Sequence, residues 1–311
     1  MTNPPEISDH FLDAEQIFAR KNPRLHKIIP EFIFSYIKKI VHQEEINGYI
    51  YRNRNKSGLE FIDAILDEFG VSSEIIIPPT NPTNLTNPIN LTTLTNLTNL
   101  ISQTGRYIVA SNHPLGGMDG MALIKEVGKA RKDIIFPVND ILTEIPGLKP
   151  LFIPINKHGK NTENVDIIEN TFASGKVILY FPAGLVSRKH KGGVIKDLEW
   201  KKTFITKARK YKRDIIPVYI SGRNSNFFYT LADWRQKLGI KSNIEMLFLV
   251  DEMVKQKGKI LTMIFGQPIP YTTFDRSKTD VQWAEFVKNK VYDLAKIDFS
   301  ALAVKNLTAK T

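Results

Sequence analysis

The sequence predicts an α/β fold: a mixed, largely parallel sheet flanked by helices, preceded by an N-terminal helical segment. Three observations predict it. From residue 105 onward, short apolar runs alternate with amphipathic stretches, the pattern of strands joined by helices. At 311 residues with 42% hydrophobic side chains, the chain can bury the core such a fold needs. The residues with the most chemical character follow directly after predicted strands, the edge where open α/β sheets place their sites.

The elements follow in order. Residues 22–46 place Leu25, Ile28, Ile29, Phe32, Ile33, Tyr36, Ile37, Ile40 and Val41 at helical spacing, interrupted by Pro30. With Lys27, Lys38 and Lys39 on its polar side, this helix either packs on the main domain or lies on a membrane surface. A second amphipathic helix over 58–70 is closed by Gly70. Residues 78–104 carry a degenerate Thr-Asn-Leu repeat, expected to be a linker-like insertion without catalytic importance. The α/β pattern then predicts strands at 106–111, 133–138, 150–155, 176–182, 214–220, 244–250 and 260–265. Helices are predicted at 119–130, 161–174, 197–212, 229–238 and 280–296. The expected organisation is a helical segment over 1–77, the insertion over 78–104, the α/β domain over 105–297 and a tail over 298–311.

Composition narrows the chemistry. The chain has no cysteine, which excludes disulfides and thiolate nucleophiles. Its six histidines form no H-E-x-x-H or H-x-H pattern, so no histidine-built metal site is expected. No apolar run approaches the roughly 18–20 residues of a spanning helix, and the polar, mildly acidic N-terminus is unlike a signal peptide. A cytoplasmic protein is expected. The net charge of +11 is concentrated between Arg188 and Arg213, where eleven Lys and Arg face two acids, Asp197 and Glu199. Such a run is either a solvated face or a surface for an anionic partner: phosphate, lipid, an acidic carrier protein or nucleic acid. Aromatic interleaving is thin, which makes nucleic acid the weakest of these and not expected as a partner.

The stretch VASNHPLGGMDG (109–120) carries the sharpest signal. His113 is a candidate general base once its tautomer is held. Asp119, on the same short loop, is placed to hold it, with Gly116 and Gly117 free to fold the chain back. The bland alternative is a histidine that caps a helix or buries against Asp119. No G-x-S-x-G elbow accompanies the pair, so a base without its own nucleophile would activate a substrate hydroxyl. A second stretch, FPAGLVSR (181–188), brings backbone amides and the Arg188 fork to the same edge, suited to phosphate or carboxylate.

Taken together, NHPLGGMDG, FPVNDILTEIPGLKPLFIPINK, FPAGLVSR and IIPVYISG resemble the four ordered blocks of the PlsC-like glycerolipid (lysophospholipid) acyltransferase family, over roughly residues 105–270. The resemblance implies His113 as general base and Asp119 as its partner. The base takes a proton from an acceptor hydroxyl, which attacks the thioester of an acyl-CoA or acyl carrier protein, with no further cofactor. The resemblance also places Lys157 and Gly184 at positions of the family's second and third blocks, and the loops after the strands add Asn112, Gly116, Gly117, Asn139, Ser187 and Arg188 as expected substrate contacts. Two departures stand out. His113 and Asp119 are separated by five residues rather than four, and the family's Glu and Arg of the third block are Ala183 and Val186. These features look more like the divergent hemolysin-like branch, which includes acyltransferases of ornithine- and glycine-type aminolipids. The expected partners are a lyso-lipid acceptor, the thioester donor and an anionic membrane surface. The expected place is peripheral, at the cytoplasmic face of the inner membrane. A thioesterase or lipid hydrolase, with water in place of the acceptor, and a lipid- or carrier-binding protein that has lost catalysis are the alternatives.

Overall fold

The structure is a computed structural model that describes residues 12–21, 23–78, 96–138, 142, 145–154, 162–241 and 243–297. Nine strands are described: β1 (Ser72–Ile76), β2 (Tyr107–Ser111), β3 (Ile134–Val138), β4 (Phe152–Pro154), β5 (Val177–Tyr180), β6 (Arg188–Lys189), β7 (Ile195–Lys196), β8 (Asp214–Ile220) and β9 (Ile260–Phe265). Seven of them form one sheet in the order β1-β9-β8-β2-β5-β3-β4, while β6 and β7 make a small antiparallel hairpin. In the large sheet only the β8–β9 pair is antiparallel. The expected mixed, largely parallel sheet is therefore present.

The burial of β2 explains its place at the centre. Every residue from Tyr107 to Ser111 is buried, as a parallel strand covered on both faces requires. Alternate side chains leave on opposite faces. Val109 joins one core with Phe61, Ile62, Leu123 and Val127. Ile108 and Ala110 join another with Phe204, Trp283 and Val287. The helices supplying these layers follow in chain order. The N-terminal segment contains α1 (Ala14–Lys21), α2 (Pro23–His26), α3 (Glu31–Ile40), α4 (Gln43–Arg52) and α5 (Gly58–Glu68). After β1 come α6 (Leu97–Leu100), α7 (Gly117–Ala130), α8 (Thr162–Ala173), α9 (Thr203–Lys210), α10 (Asn226–Lys237), α11 (Leu249–Val254) and α12 (Asp280–Leu294). The start of α12 is set by a reciprocal capping box between Thr279 and Gln282.

Five expectations are corrected. The helix expected over 22–46 restarts at Pro30, the expected interruption and the N-cap of α3, but it also breaks at His42, whose left-handed backbone starts α4. The segment expected to be helical up to residue 77 ends in β1, which pairs parallel with β9. A polar five-residue edge strand leaves no periodic trace. The insertion expected over 78–104 closes with α6, whose Leu97 and Leu100, followed by Ile101, are buried in the core. Residues 79–95 lie outside the described residues, as does the tail from 298. The strand expected over 244–250 is instead a 3₁₀ turn (Ile244–Phe248) running into α11. The reason is charge. Glu245 and Glu252 are both turned inward and buried, which an apolar strand in a sheet would not accommodate. The helix expected from residue 197 begins only at Thr203, because Asp197 and Trp200 are bonded to one another and face inward.

Candidate active site

β2 delivers its loop to the carboxyl edge of the sheet, and Asn112 fastens it there. The Asn112 amide donates to the Ile220 carbonyl at 2.9 Å and accepts from the Ile220 amide at 2.7 Å, extending the β2–β8 pairing by one side chain. Asn112 was expected at the substrate; it is buried and braces the loop instead.

His113 follows directly. Its Nδ1 lies 3.0 Å from Asp119 Oδ2. The same oxygen accepts the Leu115 amide at 2.8 Å, and Oδ1 accepts the Gly120 amide at 2.8 Å. A carboxylate surrounded by donors only accepts, so Nδ1 carries the ring proton and Nε2 presents its lone pair. Nε2 has no hydrogen-bond partner among the described residues, and the side chain is 17% exposed. One ring face stacks on Phe181 with centroids 4.0 Å apart and planes 19° from parallel. A base held at one nitrogen and open at the other is the arrangement general-base chemistry requires.

The five-residue spacing resolves at the glycine pair. Gly116 takes φ 92°, a conformation that L side chains rarely adopt, and α7 starts at Gly117, so Asp119 sits in the first helical turn. A carboxylate there is favoured by the helix dipole. A Cβ on Gly116 would lie 3.2 Å from Leu249, and one on Gly117 3.1 Å from the Met253 sulfur. Both glycines therefore serve close packing against α11. Gly184, also at positive φ, is exposed on the loop after β5 near Lys201. Asn139 and Lys157 lie outside the described residues.

Ser187 and Arg188 do not face outward as expected. The Ser187 hydroxyl donates to Asp197 Oδ1 at 2.6 Å, and its amide donates to the His113 carbonyl at 2.7 Å. Arg188 is buried. One nitrogen donates to Glu245 Oε1 at 2.8 Å and another to the Val186 carbonyl at 2.8 Å. Arg235 Nε approaches Glu245 Oε2 to 2.9 Å, an ionic contact without hydrogen-bond alignment. Burial pushes the Arg188 guanidinium below its ordinary value, and Glu245 opposes that push. Four more cations of the basic stretch are engaged within the protein. Lys207 and Lys210 pair with Glu169, Arg209 pairs with Asp280, and the buried Arg213 donates to the carbonyls of Phe172 and Lys176. It is therefore not one continuous charged face.

Sequence reasoning missed Asp197. This buried carboxylate accepts from the His113 amide at 3.2 Å, from Ser187 and, at 2.8 Å, from the Trp200 indole. Its own amide donates to the Tyr292 hydroxyl at 2.7 Å. Burial pushes its carboxyl up, while Ser187, Trp200 and the His113 amide pull it back down. The one available signal was an acid standing inside a basic run. Asp197 touches the backbone of the base, which makes it a positioning residue. Asp197→Asn is expected to lower kcat by about tenfold to a hundredfold with KM little changed, because small displacements of a base are costly. Steady-state kinetics on a variant with native circular dichroism checks this; an unchanged kcat would remove Asp197 from the site. Among the described residues no cluster of three or more His, Asp or Glu could hold a metal ion.

Fold and site together define an α/β protein with an oriented acid–base pair at the sheet's carboxyl edge. The family model described as Acyltransferase matches residues 90–300, so the chain belongs to the acyltransferase family, and it is an acyltransferase. The lyso-glycine lipid O-acyltransferase of Bacteroides thetaiotaomicron is 44% identical over 285 residues, covering 91% of this chain and 97% of that relative. The lyso-glycine lipid O-acyltransferase of Phocaeicola vulgatus is also 44% identical, covering 91% of this chain and 95% of its own. Among solved structures, the 1-acyl-sn-glycerophosphate (LPA) acyltransferase PlsC of Thermotoga maritima matches at 17% identity with a TM-score of 0.43. That match covers 86% of this chain and 95% of the other.

Proposed function

We propose that this acyltransferase moves a fatty acyl group from a thioester donor, acyl carrier protein or coenzyme A, to the hydroxyl of a lyso-glycine lipid or a close lyso-aminolipid. The observation that carries the reading is the Nδ1–Asp119 contact, which leaves Nε2 as an open base with no nucleophile bonded to it among the described residues. Nε2 takes the acceptor's hydroxyl proton as its oxygen attacks the thioester carbonyl. The tetrahedral intermediate then collapses, the C–S bond breaks, and the imidazolium returns the proton to the leaving thiolate. No covalent acyl-enzyme forms.

The two relatives' names support the acceptor, and the inward turn of Arg188 agrees with them. Its guanidinium is committed to Glu245 rather than available to a lysophosphatidate headgroup. The place of action follows from the substrate. No helix among the described residues is long and apolar enough to cross a membrane. On α3 and the turn before it, Ile28, Phe32 and Tyr36 are exposed at four-residue intervals, near the exposed Lys27 and Lys39. That face suits an anionic leaflet on the cytoplasmic side, where thioester donors are available.

The test supplies the purified protein with acyl carrier protein thioester and acyl-CoA, and offers lyso-glycine lipid or lysophosphatidate in detergent. The expected result is a diacylated glycine lipid, with lysophosphatidate used at least about tenfold less well. Thioester hydrolysis unchanged by either acceptor would overturn the reading in favour of a thioesterase.

A further inference from the structure

Helix α10 has two apolar faces, and only one of them is buried. Phe228, Tyr229 and Ala232 point into the protein. On the other side Phe227, Trp234 and Leu238 are 52%, 62% and 72% exposed. At 3.6 residues per turn these three positions fall within an arc of about 40°. Single exposed apolar side chains are ordinary. A Phe, a Trp and a Leu on one stripe are not what a helix facing water alone would carry.

The surroundings specify the occupant. The stripe continues through the ring contact of Phe227 with Phe248, 5.0 Å between centroids, into the 244–248 turn, where Leu247 is also exposed. That turn packs against α3, which carries the exposed Phe32 and Tyr36. It also leads directly to Leu249, which touches the Gly116 loop three residues from His113. Arg223, Lys237 and Lys241 are exposed close to the stripe in sequence. Tryptophan and other apolar side chains with nearby cations make the composition of a helix lying in a headgroup layer. The buried Arg188–Glu245–Arg235 cluster ties α10, the turn and β6 together, so the platform is rigid.

We propose that the Phe227–Trp234–Leu238 stripe is a second membrane anchor, which seats the enzyme on an anionic bilayer beside α3 and brings the His113 loop to the headgroup layer. The proposal rests on the lipid-acceptor reading above, and its test is independent of turnover.

Of the three tryptophans, Trp200 and Trp283 are buried, so a change in emission on adding vesicles reports Trp234. With the full chain and vesicles of phosphatidylglycerol in phosphatidylcholine, the expected result is a blue shift. It should be weaker with phosphatidylcholine alone and reduced by salt. The triple variant Phe227→Ser, Trp234→Ser, Leu238→Ser is expected to lose about tenfold or more in vesicle affinity by co-sedimentation. Its turnover of detergent-dispersed acceptor should match the parent. An unshifted emission, or sedimentation equal to the parent's, overturns the proposal. A dimer of the parent that the triple variant dissolves also overturns it, since the stripe would then be covered by a second copy. If the parent binds vesicles but acylates no lyso-lipid in detergent, the acceptor reading fails while the anchor stands.

Discussion

His113→Ala is expected to lower kcat for acyl transfer by about a thousandfold or more, the upper range for loss of a positioned general base. Stability should change little. The imidazole is partly exposed, its one ring hydrogen bond among the described residues goes to Asp119, and Asp119 keeps the Leu115 and Gly120 amides as donors. The carboxylate is therefore not stranded by the substitution. Kinetics in detergent beside a thermal melt separate the two effects. Turnover within about threefold of the parent would mean that the pair is structural and that another group takes the proton.

Glu245→Gln is expected to produce the largest loss of stability, about 3–5 kcal/mol, because it leaves two guanidiniums buried beside a neutral amide. Arg188 and Arg235 have their only carboxylate partner among the described residues in Glu245, which is itself fully buried. Denaturant melts monitored by far-ultraviolet circular dichroism measure the effect. Replacing all three charges together, Arg188→Met with Arg235→Met and Glu245→Leu, should cost far less, since no uncompensated charge remains. A loss below about 1 kcal/mol for the single variant would show that solvent reaches the cluster.

The two residues at the centre of the site were legible because they are local. His113 and Asp119 stand six positions apart at the end of an apolar strand, and both the strand and the helix after it have clear periodicity. The sheet was legible for the same reason, strand by strand, with β1 lost to its polar, five-residue length and 244–250 misread as a strand. The rest of the site depends on pairs that are distant in the chain. Asp197 meets the His113 amide across 84 positions and Tyr292 across 95, and Arg188 meets Glu245 across 57. One sequence carries no signal for such pairings. Arg188 and Ser187 had the right chemistry for a substrate and the wrong orientation, because buried carboxylates claimed them first. Glu245 was hidden inside an apolar run, where a single acid reads as an exposed interruption rather than a buried anchor.

Phe181 has a consequence for the direction of attack in the proposed reaction. Its ring lies against one flat side of the His113 imidazole, and Asp119 holds the Nδ1 edge. With that side screened, the proposed mechanism has the acceptor oxygen arrive near the imidazole plane, along the Nε2 lone pair. The screening ring offers an incoming hydroxyl no donor or acceptor to dwell on. In that mechanism the same ring gives the protonated imidazole an electron-rich surface. The proposed trajectory of attack is thus set by a side chain that has no polar atom.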